Sequence, residues 1–235
     1  MITKNLDGNK PILFLGDNHG NWNELSFQIK KYNISNTYII SVGDLGIGFY
    51  PNRDLNTCEL LNKQFMERNI NFYGIRGNHD DPIAFKGHSR ICLDNFELIE
   101  DYSIYEHNSK LIQLIGGAVS VDRTGRSVDI SYWEDEGVIF NREACQKVDV
   151  LITHTAPSWC FPQEFNEMVY GWAREDAYLL EDLTDERSVM DEIFKICDPS
   201  LHLYGHFHSS WTETVNKCKH KLLNINEIWE YNNFL

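Results

Sequence analysis

The stretch Asn71-Phe72-Tyr73-Gly74-Ile75-Arg76-Gly77-Asn78-His79-Asp80 decides the reading of this chain. An apolar, aromatic-rich run of strand length stops at a glycine, and three polar residues able to ligate a metal or move a proton follow at once. The same event recurs on either side. Upstream, Pro11-Ile12-Leu13-Phe14-Leu15 ends in Gly16-Asp17-Asn18-His19-Gly20, and Tyr38-Ile39-Ile40-Ser41-Val42 ends in Gly43-Asp44. Downstream, Asp149-Val150-Leu151-Ile152-Thr153 ends in His154, and Leu201-His202-Leu203-Tyr204 ends in Gly205-His206-Phe207-His208. Between the early strands lie helical patterns, one from Asn21 or Asn23 to about Tyr32 and one over Asp54–Arg68. Strand, loop and helix in alternation give a mixed α/β architecture, in which ligands sit beyond the carboxyl ends of the strands.

The later part is richer in strand. Glu97–Tyr105 and Leu111–Ile115 read as neighbouring strands, and Thr212–Val215 with Lys221–Ile225 as a closing hairpin. A helix is expected over Arg187–Cys197, and the irregular segment Trp159–Thr184 is expected to form a lid or rim. No repeat or linker divides the sequence, so residues 1–235 are expected to form a single domain.

Composition narrows the function classes. The chain has 235 residues, 42% of them hydrophobic and 24% charged, the balance of a globular protein with a sizeable core. Its net charge of −14 argues against a general binder of nucleic acid or anionic membranes, which would show a basic stripe. A phosphorylated ligand is still compatible, because a metal ion reverses the field of a small site. The longest apolar stretch, around Leu111–Val119, is far too short to span a bilayer, and residues 1–7 lack a signal-peptide core. A cytoplasmic address is therefore expected. The six widely spaced cysteines include no C-x-x-C pair and read as reduced, packed thiols. His88, His107, His202 and His220 fall outside the loops above and read as structural.

Taken singly, D-x-H or G-D means little. Five such loops in this order, each behind a strand, form a mixed nitrogen–oxygen donor set suited to Zn, Fe, Mn or similar ions. The succession D-x-H, G-D, G-N-H-[DE], H, G-H-x-H resembles the calcineurin-like metallophosphoesterases over Asp17 to His208. The resemblance implies a two-sheet β-sandwich flanked by helices, a four-layer architecture, with a dinuclear metal centre at the strand ends. It implies that Asp17, His19 and His208 hold one divalent ion, that Asn78, His154 and His206 hold the second, and that Asp44 bridges them. Manganese is the first candidate, with iron, zinc, cobalt and nickel compatible. His79 would lie beside the centre as the catalytic residue, placed to meet the leaving group or a substrate oxygen. Two divalent ions less the Asp17 and Asp44 carboxylates leave a centre of about +2, able to draw in a phosphate.

The chain departs from the protein serine/threonine phosphatases of that family, whose second motif reads G-D-x-V-D-R-G. Here Ile47 and Gly48 stand where that acid and arginine would be. For phosphate binding the sequence offers Arg123 and Arg126, behind the glycine-rich turn Gly116-Gly117-Ala118-Val119-Ser120, and Arg76 beside the Gly77-Asn78-His79 loop. The reading is a hydrolase acting on a small phosphorylated or nucleotide-like ester through metal-activated water. Its rivals are a protein phosphatase or nuclease of the same family and, in a different class, a catalytically silent metal-binding scaffold.

Overall fold

Each of the five apolar runs becomes a strand in the computed structural model, which describes residues 2–231. The chain begins with β1 (Lys4–Asn5) and β2 (Ile12–Leu15). It continues through α1 (Trp22–Lys31), β3 (Thr37–Ser41), α2 (Pro51–Glu67), β4 (Ile70–Gly74) and β5 (Phe96–Leu98). Next come β6 (Ser103–His107), β7 (Lys110–Ile115), β8 (Val150–Thr153), α3 (Glu167–Trp172) and α4 (Leu179–Cys197). The last elements are β9 (Leu201–Tyr204), β10 (Trp211–Val215), β11 (Cys218–Leu222) and β12 (Ile228–Glu230).

These strands form two sheets, in the orders β12-β2-β3-β4-β5 and β1-β6-β7-β8-β9-β11-β10. Strands β2 to β5 run parallel, as do β7, β8, β9 and β11. Such strands are covered on both faces, which is why they read as continuous apolar runs and not as alternating ones. Alternation survives in where the side chains go. Phe14, Tyr38, Ile40 and Tyr73 meet Ile112, Leu114, Ile152 and Leu203 between the sheets. Ile39, Phe72 and Phe96 point the other way, onto Leu25 and Ile29 of α1 and Cys58, Leu61 and Phe65 of α2. On the far side Leu151 packs under Met190, Ile193 and Cys197 of α4. The result is the expected four layers, helix–sheet–sheet–helix.

Several boundaries differ from the sequence reading; the second strand of the closing hairpin, for one, is Cys218–Leu222 and not Lys221–Ile225. The expected strand Glu97–Tyr105 is two strands in different sheets, β5 and β6. Tyr102, at φ 66°, interrupts the extended backbone there, and the chain crosses from one sheet to the other. Helix α4 starts at Leu179 because Leu179 and Leu183 bury against Val169 of α3. Glu181 and Asp182 also suit the positive end of the helix dipole. The segment Trp159–Thr184 is thus partly helical, and Phe165 and Trp172 pack beside Val119 and Val121. All six cysteines are free and five are buried. No helix of the described residues is long and apolar enough to cross a membrane.

Candidate metal centre

Parallel strands expose their last backbone groups at one edge, and here both sheets contribute to the same edge. Asp17 and His19 follow β2, Asp44 follows β3, and Asn78 and His79 follow β4. His154 follows β8, while His206 and His208 follow β9. Tight turns bring these side chains together: His19, Asp44, His206 and His208 all take left-handed φ values, of 50°, 52°, 69° and 47°. Each such residue costs on the order of 1–3 kcal/mol, offset by the packed scaffold beneath. The two carboxylates are fixed by backbone N–H groups of other loops. His206 donates to Asp17 Oδ2 at 2.9 Å and His79 to Asp44 Oδ1 at 2.8 Å. Two motif glycines leave the room this needs. A Cβ on Gly77 would stand 2.1 Å from Asp44 Oδ1, and one on Gly205 would stand 2.0 Å from Asp17 Oδ1.

The donors converge in two groups. Asp17, His19, Asp44 and His208 each offer an atom within 4.8 Å of the others. His19 Nε2 and His208 Nε2 face each other at 2.9 Å, and His208 Nε2 lies 3.5 Å from Asp17 Oδ2. In the second group Asn78 Oδ1 meets His154 Nε2 at 3.1 Å and His206 Nδ1 at 2.9 Å. Asp44 Oδ1 lies 3.2 Å from the same His154 Nε2, so Asp44 touches both groups.

Partners outside the groups set the orientation. His154 Nδ1 donates to the Val42 carbonyl at 2.8 Å, which leaves the lone pair of the neutral ring on Nε2. The Asn78 amide donates through Nδ2 to Ser120 Oγ at 3.0 Å, turning its oxygen inward. Ser120 is itself held by its N–H on Glu136 Oε1 at 2.7 Å. Nitrogen and oxygen atoms able to ligate a metal therefore crowd one another, and buried Asp17 Oδ1 has no hydrogen-bond partner. Burial pushes the Asp17 carboxyl up and holds His206 well below the ordinary imidazole range. Burial likewise pulls His19 down to about 4. It also opposes charge on His154, but the adjacent Asp44 carboxylate outweighs it and raises that ring. A donor set of this kind fits divalent cations, which replace the missing positive charge without any proton.

His79 lies beside the first donor group. Its ring is flanked by His19, with centroids 4.9 Å apart, and by Phe49 at 6.4 Å. Arg126 Nη2 lies 2.7 Å from His79 Nε2, and the same guanidinium pairs with Asp122 at 2.6 Å. Burial, with the Arg126 charge adding to it, lowers the His79 pKa. Neither Asp80 nor Asp81 supports this histidine. Asp80 is fully buried and accepts from the backbone N–H groups of Leu45, Ile47 and Gly77 at 3.0, 2.9 and 2.8 Å. It latches the Gly43-Asp44 loop to the Gly77-Asn78-His79 loop. Asp81 instead caps the short turn at Pro82–Phe85 by accepting from Ile83.

Two of the three arginines expected at substrate are committed elsewhere. Arg76 is buried, with its guanidinium on Asp101 at 2.9 Å and on the Glu136 and Gly137 carbonyls. It ties loops together and has no free face for phosphate. Arg123 is taken up by Asp176 and Asp182, which fasten the Gly116–Arg126 turn to the start of α4 and the segment before it. Arg126 alone of the three stands beside the centre. The sequence reading missed Ser120 and Asp122 as partners of the site, and the Gly116-Gly117-Ala118-Val119-Ser120 stretch was their only signal.

The strand ends of two packed sheets thus present paired histidine–carboxylate groups, a donor set that fits divalent cations. The sequence matches the calcineurin-like phosphoesterase profile over residues 10–210, and the chain belongs to that family, hydrolases of phosphoric ester bonds. No curated protein matches it. Among solved structures it is similar to a Staphylococcus aureus protein assigned as a 5′-nucleotidase, at 14% identity and a TM-score of 0.45, covering 92% of this chain and 49% of that one. It therefore spans about half the length of that neighbour. It is also similar to a phosphopantetheinyl hydrolase from Mycobacterium tuberculosis, at 11% identity and a TM-score of 0.44, covering 92% of this chain and 90% of that one. A protein serine/threonine phosphatase from Saccharomyces cerevisiae shows 13% identity and a TM-score of 0.40, covering 95% of this chain and 70% of that one.

Proposed function

We propose that this chain hydrolyses a small phosphorylated or nucleotide-like ester at a dinuclear centre. Asp17, His19 and His208 would hold one divalent ion, Asn78, His154 and His206 the other, and Asp44 would bridge them. Manganese is the first candidate; iron, zinc, cobalt and nickel suit the same donors. The observation that carries the reading is the convergence of Asp44 Oδ1 and Asn78 Oδ1 on His154 Nε2, whose other nitrogen is committed to the Val42 carbonyl, so that a cation can take the place of a ring proton there. When bound, the ions supply a nucleophilic hydroxide at neutral pH and positive charge for the phosphoryl oxygens.

The chain supplies the positioning. Val42 fixes the His154 tautomer and Ser120 the Asn78 amide, so the donors are held before any ligand arrives. Arg126, anchored by Asp122, places a guanidinium beside His79, where it can grip a phosphoryl oxygen. His79, tied through its N–H to Asp44, is the group to protonate the departing oxygen. Ile47 and Gly48 in place of an acid and an arginine favour small esters over phosphoproteins. The −14 charge disfavours a nuclease, which needs a basic track for the backbone. One domain over residues 1–235 and a cytoplasmic address belong to the same reading, and the unpaired cysteines support that address.

A substrate screen tests it. Manganese-loaded protein is offered an activated phosphomonoester, an activated phosphodiester, cyclic nucleotides, dinucleoside polyphosphates and a phosphopeptide. Turnover of one or more of the small esters is expected. Turnover of the phosphopeptide alone would overturn the substrate class, and no turnover of any would favour the silent scaffold.

A further inference from the structure

A second set of metal-type donors lies outside the centre. Cys160, His202 and His220 are fully buried, and one donor atom of each lies within 4.8 Å of the other two. His202 on β9 and His220 on β11 are direct cross-strand neighbours, so their rings share the sheet face covered by α4. Cys160 comes from the loop after β8, held where the Arg187 guanidinium binds the Cys160 carbonyl at 3.0 Å and the Pro162 carbonyl at 2.8 Å. Trp159 and Phe194 close over the His220 ring, with centroids 5.1 and 5.5 Å away.

The distances are those of a coordination polyhedron. His202 Nδ1 and His220 Nδ1 lie 3.2 Å apart, and Cys160 Sγ lies 3.4 Å from His220 Nδ1. Zinc bonds of about 2.3 Å to sulfur and about 2.0–2.1 Å to nitrogen at tetrahedral angles put N···N edges at about 3.3 Å and S···N edges at about 3.6 Å. One tautomer is also fixed. The Thr153 hydroxyl gives its proton to the Thr155 carbonyl and so accepts from His202 Nε2 at 2.8 Å. That leaves the lone pair of a neutral His202 on Nδ1, aimed at the other two donors. An outer hydrogen bond of this kind is what a metal-ligating histidine uses to hold its ring.

We propose that Cys160, His202 and His220 form a second metal site, separate from the phosphoesterase centre and selective for a zinc-type ion. One thiolate and two imidazoles make a softer set than the thiolate-free nitrogen–oxygen centre, which separates the ions each prefers. Binding releases the Cys160 thiol proton to solvent and forms one sulfur–metal and two nitrogen–metal bonds, with no change of oxidation state. The ion cross-links the loop after β8 to β9 and β11, beneath α4.

Cobalt(II) is the probe, because a thiolate ligand gives it an intense near-ultraviolet charge-transfer band and the phosphoesterase centre contains no thiolate. Titrating metal-free protein should raise this band to saturation. Cys160→Ser should abolish it while the weaker visible cobalt bands of the other centre persist, and replacement of exposed Cys92 by serine should leave it intact. A zinc K-edge spectrum of the zinc-loaded unaltered protein gives the same answer without any variant that must fold, and should show a sulfur scatterer. No charge-transfer band, a band that survives Cys160→Ser, or a zinc edge with only nitrogen and oxygen neighbours would each overturn the site.

Discussion

Arg76 and Arg126 carry the same charge, and their surroundings set them different tasks. Arg126 leans on His79 and one carboxylate, so a phosphoryl oxygen can draw it away. Arg126→Ala should lower kcat/KM roughly 10–150-fold, the equivalent of a lost charged hydrogen bond of about 1.5–3 kcal/mol, with metal content unchanged. Arg76→Ala should instead lower the urea midpoint, by about 1–3 kcal/mol of stability, because Asp101 and two carbonyls lose their donor. For His79 the informative series is the leaving group. His79→Gln should cost roughly 10²–10⁴-fold on an alkyl ester and far less on a nitrophenyl ester, as general acid catalysis requires. An equal loss on both would assign His79 to the phosphoryl oxygens. At this scale the side chains that converge at the strand ends were legible, because residue type and order name them. The fate of the arginines was not, since Asp101, Asp176 and Asp182 are distant in sequence from the side chains they capture.

Among the elements, the loops after β3 and β4 depend on Asp80. One carboxylate satisfies three buried N–H groups, and an amide has only one acceptor oxygen to offer them. Asp80→Asn should therefore destabilise the fold by about 1–3 kcal/mol and weaken metal binding, although Asp80 is no ligand. Thermal midpoint and manganese affinity, measured on the same preparation, check both effects. Affinity equal to the parent's would show that the two loops hold their shape without the latch. Strands in the parallel parts of the sheets were readable from their unbroken apolar runs, as at Tyr38–Val42. The break between β5 and β6 was not, because Phe96–Tyr105 keeps strand-like composition across the Tyr102 kink. The short strands β1 and β12 escaped for a different reason: two- and three-residue edge pairings leave no periodicity to read.

For the molecule as a whole, the layered sandwich brings the ends of β2, β3 and β4 against those of β8 and β9. The sequence shows which loops carry donors, but periodicity does not show that two sheets pack face to face with these strand ends on one side; that came from the family resemblance. That cations occupy this donor-lined edge is the central proposal. Manganese is a hard ion that favours the carboxylate-containing centre over the thiolate of the Cys160 site, so a manganese count reports on the centre. The measurement is the manganese content of reconstituted protein after removal of loosely bound ion, for the parent and for Asp44→Asn. The account predicts two ions per chain in the parent and loss of affinity at both positions in the variant, because Asp44 touches both donor groups. A single tight ion that is indifferent to Asp44→Asn would contradict it.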